Sequence, residues 1–146
     1  MNDEATRAGF IAVVGAPNVG KSTLINRAVG SKVSIVSPKV QTTRTRVLGI
    51  FSLAASQVIF IDTPGIFQPR RRLDRAMVAA AWSGAKNADR ILLLVDAASG
   101  IDSNTDAILQ KLVPTKRRVV LAINKVDLVK KESLLALTTE LSPFGI

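Results

Sequence analysis

One short segment carries the residue types that can hold a polyphosphate. It reads Gly15, Ala16, Pro17, Asn18, Val19, Gly20, Lys21, Ser22 and Thr23, which matches the pattern G-x-x-x-x-G-K-[ST]. Backbone N–H groups around such glycines point inward at anionic phosphates. Lys21 adds a cation for the outer phosphates, and the Ser22 hydroxyl can hold Mg²⁺. The segment therefore predicts a loop that binds the phosphates of a nucleotide.

A second polar motif follows the apolar run at residues 58–61. It reads Asp62, Thr63, Pro64 and Gly65. A carboxylate at Asp62 can hold Mg²⁺ through water, because Mg²⁺ prefers oxygen ligands and keeps several waters. Gly65 can bring its backbone N–H to a terminal phosphate with no side chain in the way. We expect this motif to face the outer phosphates.

A third motif, Asn124, Lys125, Val126 and Asp127, follows the apolar run at residues 119–123. A carboxylate at Asp127 can accept hydrogen bonds from the N1–H and 2-amino groups of guanine, whereas adenine has no such pair of donors. An unpaired carboxylate costs several kcal/mol, enough for about 10³-fold discrimination. Asn124 either donates to the carbonyl side of guanine or braces the phosphate loop, and the Lys125 stem can cover the base.

Two polar segments without clear periodicity flank the expected terminal phosphate, at residues 34–46 and 68–72. Loops of this length in compact domains are usually functional. Thr42 or Thr43, with Thr43 preferred, can complete the Mg²⁺ shell when a γ-phosphate is present. We therefore predict Ser22, Thr43 and Asp62 as the metal ligands, and Lys21, Thr43 and Gly65 as the catalytic groups.

The elements that must position these residues follow an alternating strand–helix pattern. Short, wholly apolar runs at residues 10–14, 58–61, 91–95 and 119–123 are typical of parallel strands buried on both faces. Residues 47–53, joined to the next strand by a link at 54–57, predict an antiparallel pair. Helical spacing occurs at residues 23–29, 73–80, 108–112 and 134–141, the last stopped by Pro143, and Trp82 is expected to pack a helix on the core. The fold class is α/β, a P-loop NTPase fold: a mostly parallel sheet with one antiparallel strand and helices on both faces.

Composition excludes several classes of function. The 146 residues include neither cysteine nor histidine, so disulfides, thiolate metal sites and Ser-His-Asp triads are absent. The N-terminus is acidic and no run is long enough to span a membrane, which predicts a cytoplasmic protein. The net charge of +9 favours nucleic acid or the acidic inner face of the cell membrane as a peripheral partner; a solvated basic surface is the alternative.

With these motifs in place, the chain resembles the translation-factor-related GTPases, and most closely the Era family. The three motifs look like the first, third and fourth GTPase motifs, and residues 33–44 look like the Era switch I. The resemblance implies GTP binding, Mg²⁺-dependent hydrolysis to GDP, and a role in assembly of the small ribosomal subunit with 16S rRNA as a partner.

The resemblance also implies parts that this sequence lacks. The fifth GTPase motif, the strand that carries it and the final helix would follow Ile146, and so would an RNA-binding KH domain. Residues 1–146 are therefore expected to form a C-terminally incomplete Era-type G domain. In such a domain the sheet edge beside residues 119–123 would be exposed.

The sequence leaves the attacking water without an evident base. Many GTPases place a glutamine after the third motif, but here that position is Ile66. Related GTPases with an apolar residue there can use K⁺, held in part by an asparagine equivalent to Asn18, so we hypothesise K⁺-stimulated hydrolysis. Arginines near residues 70–75 are the alternative source of charge.

Three other functions compete with a working GTPase. A P-loop ATPase or kinase is opposed by Asn124 and Asp127. A nucleotide-gated binding module with negligible hydrolysis is consistent with Ile66, and a basic RNA-binding domain is consistent with the charge.

Overall fold

A computed structural model describes residues 6–30, 47–62, 72–86 and 88–144 of the chain. Within these residues the strands are β1 (Arg7–Val14), β2 (Val47–Leu53), β3 (Ser56–Asp62), β4 (Arg90–Asp96) and β5 (Val119–Asn124). The α-helices are α1 (Lys21–Val29), α2 (Arg72–Lys86), α3 (Ser103–Leu112) and α4 (Lys131–Leu141). Single 3₁₀ turns occur at Val113–Thr115, Val126–Leu128 and Ser142–Phe144.

The strands form one sheet in the order β2-β3-β1-β4-β5. All neighbouring pairs are parallel except β2 and β3, which are antiparallel. The predicted α/β P-loop NTPase fold, with a mostly parallel sheet and one antiparallel strand, is therefore confirmed. In such a sheet the carboxyl ends of β1, β3, β4 and β5 lie at the same edge, where ligands bind.

Two predicted boundaries were wrong by a few residues. The link between β2 and β3 is only Ala54 and Ala55, because Ser56 and Gln57 already pair with β2. Ala54 adopts a positive φ of 50°, as a tight two-residue hairpin turn requires. Helix α1 begins at Lys21 rather than at residue 23, because Gly20 turns the chain directly into the helix.

Strand β4 packs against helices on both faces of the sheet. Leu93 and Val95 belong to a buried cluster with Ile108 of α3. Leu94, which points the opposite way, belongs to a second cluster, against which Leu24 of α1 packs. This alternation follows from the two-residue period of a strand, and it confirms helices on both faces.

Strand β5 forms an edge of the sheet. Among the described residues it pairs with β4 alone, and Val120 is 56% exposed. The prediction that residues 119–123 are buried on both faces was therefore wrong, whereas the prediction of an exposed sheet edge beside them is confirmed. When several strands are apolar throughout, their composition does not show which of them lies at the edge of the sheet.

Helix α2 carries the chain's single tryptophan. Trp82 is half-buried and packs against the main core cluster, as predicted. The Lys111 ammonium lies 5.2 Å from the centre of its ring, in the range of a cation–π contact. None of the described helices combines the length and the apolar character needed to cross a membrane.

Candidate functional site

The described parts of the three predicted motifs lie at one edge of the sheet. Asp62, the last residue of β3, lies in register with Val13 of β1, just before the phosphate loop begins at Gly15. Two strands from β1, Asn124 ends β5 in register with Asp96, the last residue of β4. Because these strands are parallel, polar residues distant in sequence gather beside the loop.

The shape of the phosphate loop depends on two glycines. A Cβ atom at Gly15 would lie 2.6 Å from the Leu94 backbone oxygen, so only glycine allows this close approach to β4. Gly20 has a φ of 105° and a Cβ there would clash with the Asn124 amide. Gly20 is also the N-cap of α1 and provides no side-chain cap. The first-turn N–H groups of α1 therefore have no side-chain acceptor at the cap, an arrangement suited to an anion.

Side chains of the loop divide between core and solvent. Ala16 and Val19 are buried against Leu94, which fixes the loop on the sheet. Pro17 is half-buried, whereas Asn18 and Thr23 are exposed. Asn18 has a positive φ of 63°. The apolar contacts hold the loop in place while its polar surface faces outward.

The cation of the loop is held by the loop itself. Lys21 is 6% exposed, and its ammonium donates to the backbone oxygens of Ala16 at 2.7 Å and Gly15 at 3.2 Å. Ser22, the next residue of α1, is buried at 8% exposure. The ammonium and the hydroxyl thus lie together at the start of α1, where helix N-termini attract negative charge.

Asn124 connects the third motif to the phosphate loop. Its side-chain amide donates to the Val19 backbone oxygen at 2.9 Å. Of the two roles left open by the sequence, the bracing of the loop is the one that this contact performs. The close approach of this amide also explains why Gly20 carries no side chain.

Lys125 makes a second connection between the same two segments. Its ammonium donates to the Asn18 backbone oxygen at 2.7 Å and to Asp96 Oδ2 at 2.8 Å. Lys125 has a positive φ of 60°. The Lys125 backbone is held where the chain leaves β5, and its ammonium is held by the phosphate loop and by the end of β4.

Asp96 is a site residue that the sequence reasoning missed. Its side chain is 12% exposed, and Oδ1 accepts hydrogen bonds from the Ala98 and Ser99 N–H groups at 2.8 and 3.4 Å. Burial raises the pKa of this carboxyl, but the bonds from Lys125 and the two N–H groups lower it more, so the net pKa lies below its ordinary value. A polar residue directly after the apolar run at 91–95 was the signal that could have found it.

Asp127 lies in the 3₁₀ turn Val126–Leu128 that follows Lys125, and it is exposed. Within the described part of the chain, no group donates a hydrogen bond to its carboxylate. The turn is closed by a bond from the Leu128 N–H to the Lys125 oxygen at 3.0 Å. Its carboxylate is thus available as an acceptor next to the braced loop.

Other predicted site residues lie outside the described residues. These are Thr43 with Thr42, and Thr63, Pro64 and Gly65, together with Ile66. The backbone of Asp62 is described but its side chain is not. Of the three predicted metal ligands, Ser22 is therefore the one whose side chain the structure places.

Known proteins are similar to this chain in sequence and in fold. A family model described as "50S ribosome-binding GTPase" matches residues 10–125. A curated relative, GTPase Era of Bradyrhizobium diazoefficiens, is 57% identical over 97% of this chain and 47% of its own length. The chain therefore spans about half the length of the curated relatives it matches.

Solved structures give the same picture. A crystal structure of Era in complex with MgGDPNP and nucleotides 1506–1542 of 16S ribosomal RNA superimposes with a TM-score of 0.87 at 42% identity, over 93% of this chain and 47% of the other. The structure of NFeoB from S. thermophilus bound to GDP.AlF4- and K⁺ superimposes with a TM-score of 0.64 at 30% identity, over 82% of this chain and 45% of the other. The predicted resemblance to Era-type GTPases is confirmed.

Proposed function

We propose that this chain, which belongs to the family of 50S ribosome-binding GTPases, binds GTP and GDP and hydrolyses GTP to GDP and phosphate. Residues 15–23 would hold the phosphates, and residues 62–65 would face the terminal phosphate. Asp127 would accept hydrogen bonds from the guanine base, the Lys125 stem would cover the base, and Asn124 would brace the phosphate loop. The proposal makes the protein a nucleotide-dependent switch.

The observation that carries this proposal is the double connection between the base motif and the phosphate loop. Asn124 bonds to the Val19 oxygen and Lys125 bonds to the Asn18 oxygen, at 2.9 and 2.7 Å. These contacts fix the distance between the Asp127 carboxylate, which can distinguish guanine from adenine, and the backbone N–H groups of the loop, which can bind the phosphates. Such preorganisation lowers the cost of ordering the site on binding.

The donor set fits Mg²⁺. Ser22 offers a hydroxyl at the start of α1, and Asp62 stands at the end of the strand beside Val13. Both are oxygen donors, which Mg²⁺ prefers. With Thr43 they would hold the ion, which when bound neutralises charge on the phosphates.

Catalysis would rest on charge stabilisation rather than on a side-chain base. We propose that the Lys21 ammonium and the Gly65 N–H stabilise the charge that develops on the transferred phosphoryl group, and that Thr43 orders its own segment around it. Asn18 and Ile66 motivate a role for K⁺, and the 30% identical NFeoB from S. thermophilus has a structure bound to GDP.AlF4- and K⁺. Faster GTP turnover in K⁺ than in Na⁺ is expected; equal turnover would contradict the role.

The biological role proposed for the whole protein is assembly of the small ribosomal subunit, with 16S rRNA as partner. It is supported by curated relatives that are GTPases Era and by the Era complex with a 16S rRNA segment. We propose that residues 1–146 act as the G domain and that the principal rRNA-binding domain, of KH type, lies outside them. A cytoplasmic location, with any membrane contact peripheral, accords with this role.

Purine preference provides the sharpest test. Titration with fluorescent GDP, competed with GTP and ATP, should show guanine preference for the natural chain. Asp127→Asn should reduce that preference by about 10³-fold without lowering the melting temperature, because the carboxylate makes no hydrogen bond within the described residues. Lys21→Glu should abolish binding.

Two outcomes would favour a rival. Unchanged purine preference in Asp127→Asn, or equal competition by ATP, would indicate a P-loop ATPase. Tight GTP binding without multiple-turnover phosphate release would indicate a nucleotide-gated binding module.

A further inference from the structure

The end of the sheet opposite the candidate site carries a concentration of positive charge. Strand β4 begins there, strand β5 begins there, and α2 ends there. We call this surface the basic pole and define it by Lys86, Arg90, Lys116, Arg117 and Arg118. Four of the five are exposed, and Arg117 is half-buried.

Two tertiary features bring these residues together. The Arg117 guanidinium donates to the backbone oxygens of Ala85 and Ala88, so residues 116–118 lie against the end of α2. The pairing of β4 with β5 places Arg90 beside Arg118, since the residues that follow them are in register. Neighbouring strands are about 4.8 Å apart. The cations therefore form one surface rather than separate charges.

Within the described part of the chain, acidic side chains do not pair with these cations. Asp89, the acid next to the pole, accepts a hydrogen bond from the Phe10 N–H at 2.8 Å and so stabilises the start of the sheet. Clustered like charges repel each other and attract polyanions.

We infer that the basic pole binds the phosphate backbone of single-stranded RNA. Arginine guanidinium groups match phosphate oxygens in a bidentate geometry. Phe10, 38% exposed and joined to Asp89 by two hydrogen bonds, adds an aromatic face on which an unpaired base can stack. An acidic lipid surface fits less well, because strand starts and a helix end do not form the apolar helix face that enters a bilayer.

The inference predicts phosphate contacts that do not depend on RNA sequence and that weaken steeply with salt. It is independent of the nucleotide chemistry proposed above, because the pole lies at the amino ends of β4 and β5 and the candidate site at their carboxyl ends.

The test is fluorescence anisotropy of a labelled single-stranded RNA of mixed sequence, titrated with the chain over a range of KCl concentrations. The pole variant combines Arg90→Glu, Lys116→Glu and Arg118→Glu, and leaves Arg117 in place because its hydrogen bonds hold α2. The matched control combines Arg27→Glu, Lys130→Glu and Lys131→Glu, which reverse three exposed charges elsewhere. Both variants have the same net charge.

The pole variant should bind the RNA at least about tenfold more weakly, and its salt slope should fall by about 2, since each contact on a single strand contributes about 0.7. The control should keep most of the natural slope, and both variants should keep the melting temperature of the natural chain. Equal losses in the two variants would show an effect of net charge alone and overturn the inference.

Two further results would also overturn the inference. The first is that the natural chain does not bind RNA. The second is that the pole variant loses binding to vesicles containing phosphatidylglycerol but keeps its binding to RNA. Unchanged purine preference in the Asp127→Asn experiment would contradict the proposed function and leave this inference intact.

Discussion

The Lys125 ammonium donates to Asp96 Oδ2 across 2.8 Å, although the two residues are 29 positions apart in sequence. The same ammonium bonds to the Asn18 oxygen, so one cation joins β4, the phosphate loop and the base motif. The Asp96 carboxylate compensates the positive charge of Lys125, whose side chain is 34% exposed. Asp96 thereby positions Lys125 rather than any ligand directly.

Replacing Asp96 with asparagine should weaken GDP binding about tenfold. The amide cannot compensate the charge of Lys125, and hydrogen bonds to charged groups contribute about 1.5–3 kcal/mol, less here because the Lys125 side chain is 34% exposed. Titration with fluorescent GDP measures the loss. Asp89→Asn is the matched control, because Asp89 also accepts from a backbone N–H but lies at the other end of the sheet. Equal losses of GDP affinity in Asp96→Asn and Asp89→Asn would contradict a positioning role for Asp96.

The contribution of Asp96 to stability should disappear only in acid. Its folded-state pKa lies below the ordinary value of 3.8, so the carboxylate stabilises the fold above that value, and the stabilisation is lost as the pH falls through the lower folded-state pKa. The natural chain and Asp96→Asn should differ in their free energy of unfolding by a constant amount near neutral pH. This difference should shrink below pH 3.8. The chain has no histidine to add a titration near neutrality. A difference that instead grew in acid would contradict this account.

Gly20→Ala should damage both stability and nucleotide binding. The residue has a φ of 105°, and a methyl group there would clash with the Asn124 amide that braces the loop. Gly30 offers a matched control: it has a φ of 81°, but a Cβ there meets no atom within 4 Å. We expect Gly30→Ala to cost about 1 kcal/mol from backbone strain alone, with GDP affinity unchanged. Chemical denaturation and GDP titration of both variants check this, and comparable GDP affinities would show that the clash is relieved elsewhere.

Arg117→Met should destabilise the fold by about 1–3 kcal/mol, because the backbone oxygens of Ala85, in α2, and of Ala88, just beyond it, lose a charged donor while the apolar stem is kept. Arg118→Met is the control, since Arg118 is exposed and should change the free energy of unfolding by less than about 0.5 kcal/mol. Denaturant unfolding of the two variants measures the difference. Equal stability would mean that the end of α2 is held by apolar contacts alone.

Much of the fold could be predicted from local patterns. A glycine-bounded loop between an apolar run and a helix specifies a phosphate loop, because φ, ψ and N–H direction are set by neighbours in sequence. Short apolar runs specify strands for the same reason, and the antiparallel β2–β3 pair follows from its short connection. The exposure of Val120 did not follow, because the strand's position in the sheet is not written in its composition.

The sequence by itself identified the candidate residues for nucleotide chemistry: the loop at residues 15–23, the motif at 62–65 and the motif at 124–127. Only the tertiary structure decided which of these residues meet. It brought Asp96 to Lys125 and Arg117 to the end of α2, because strand order and register bring together groups that local propensity cannot relate. Once parallel strands place their carboxyl ends side by side, the separation of two residues in the sequence no longer indicates the distance between their side chains.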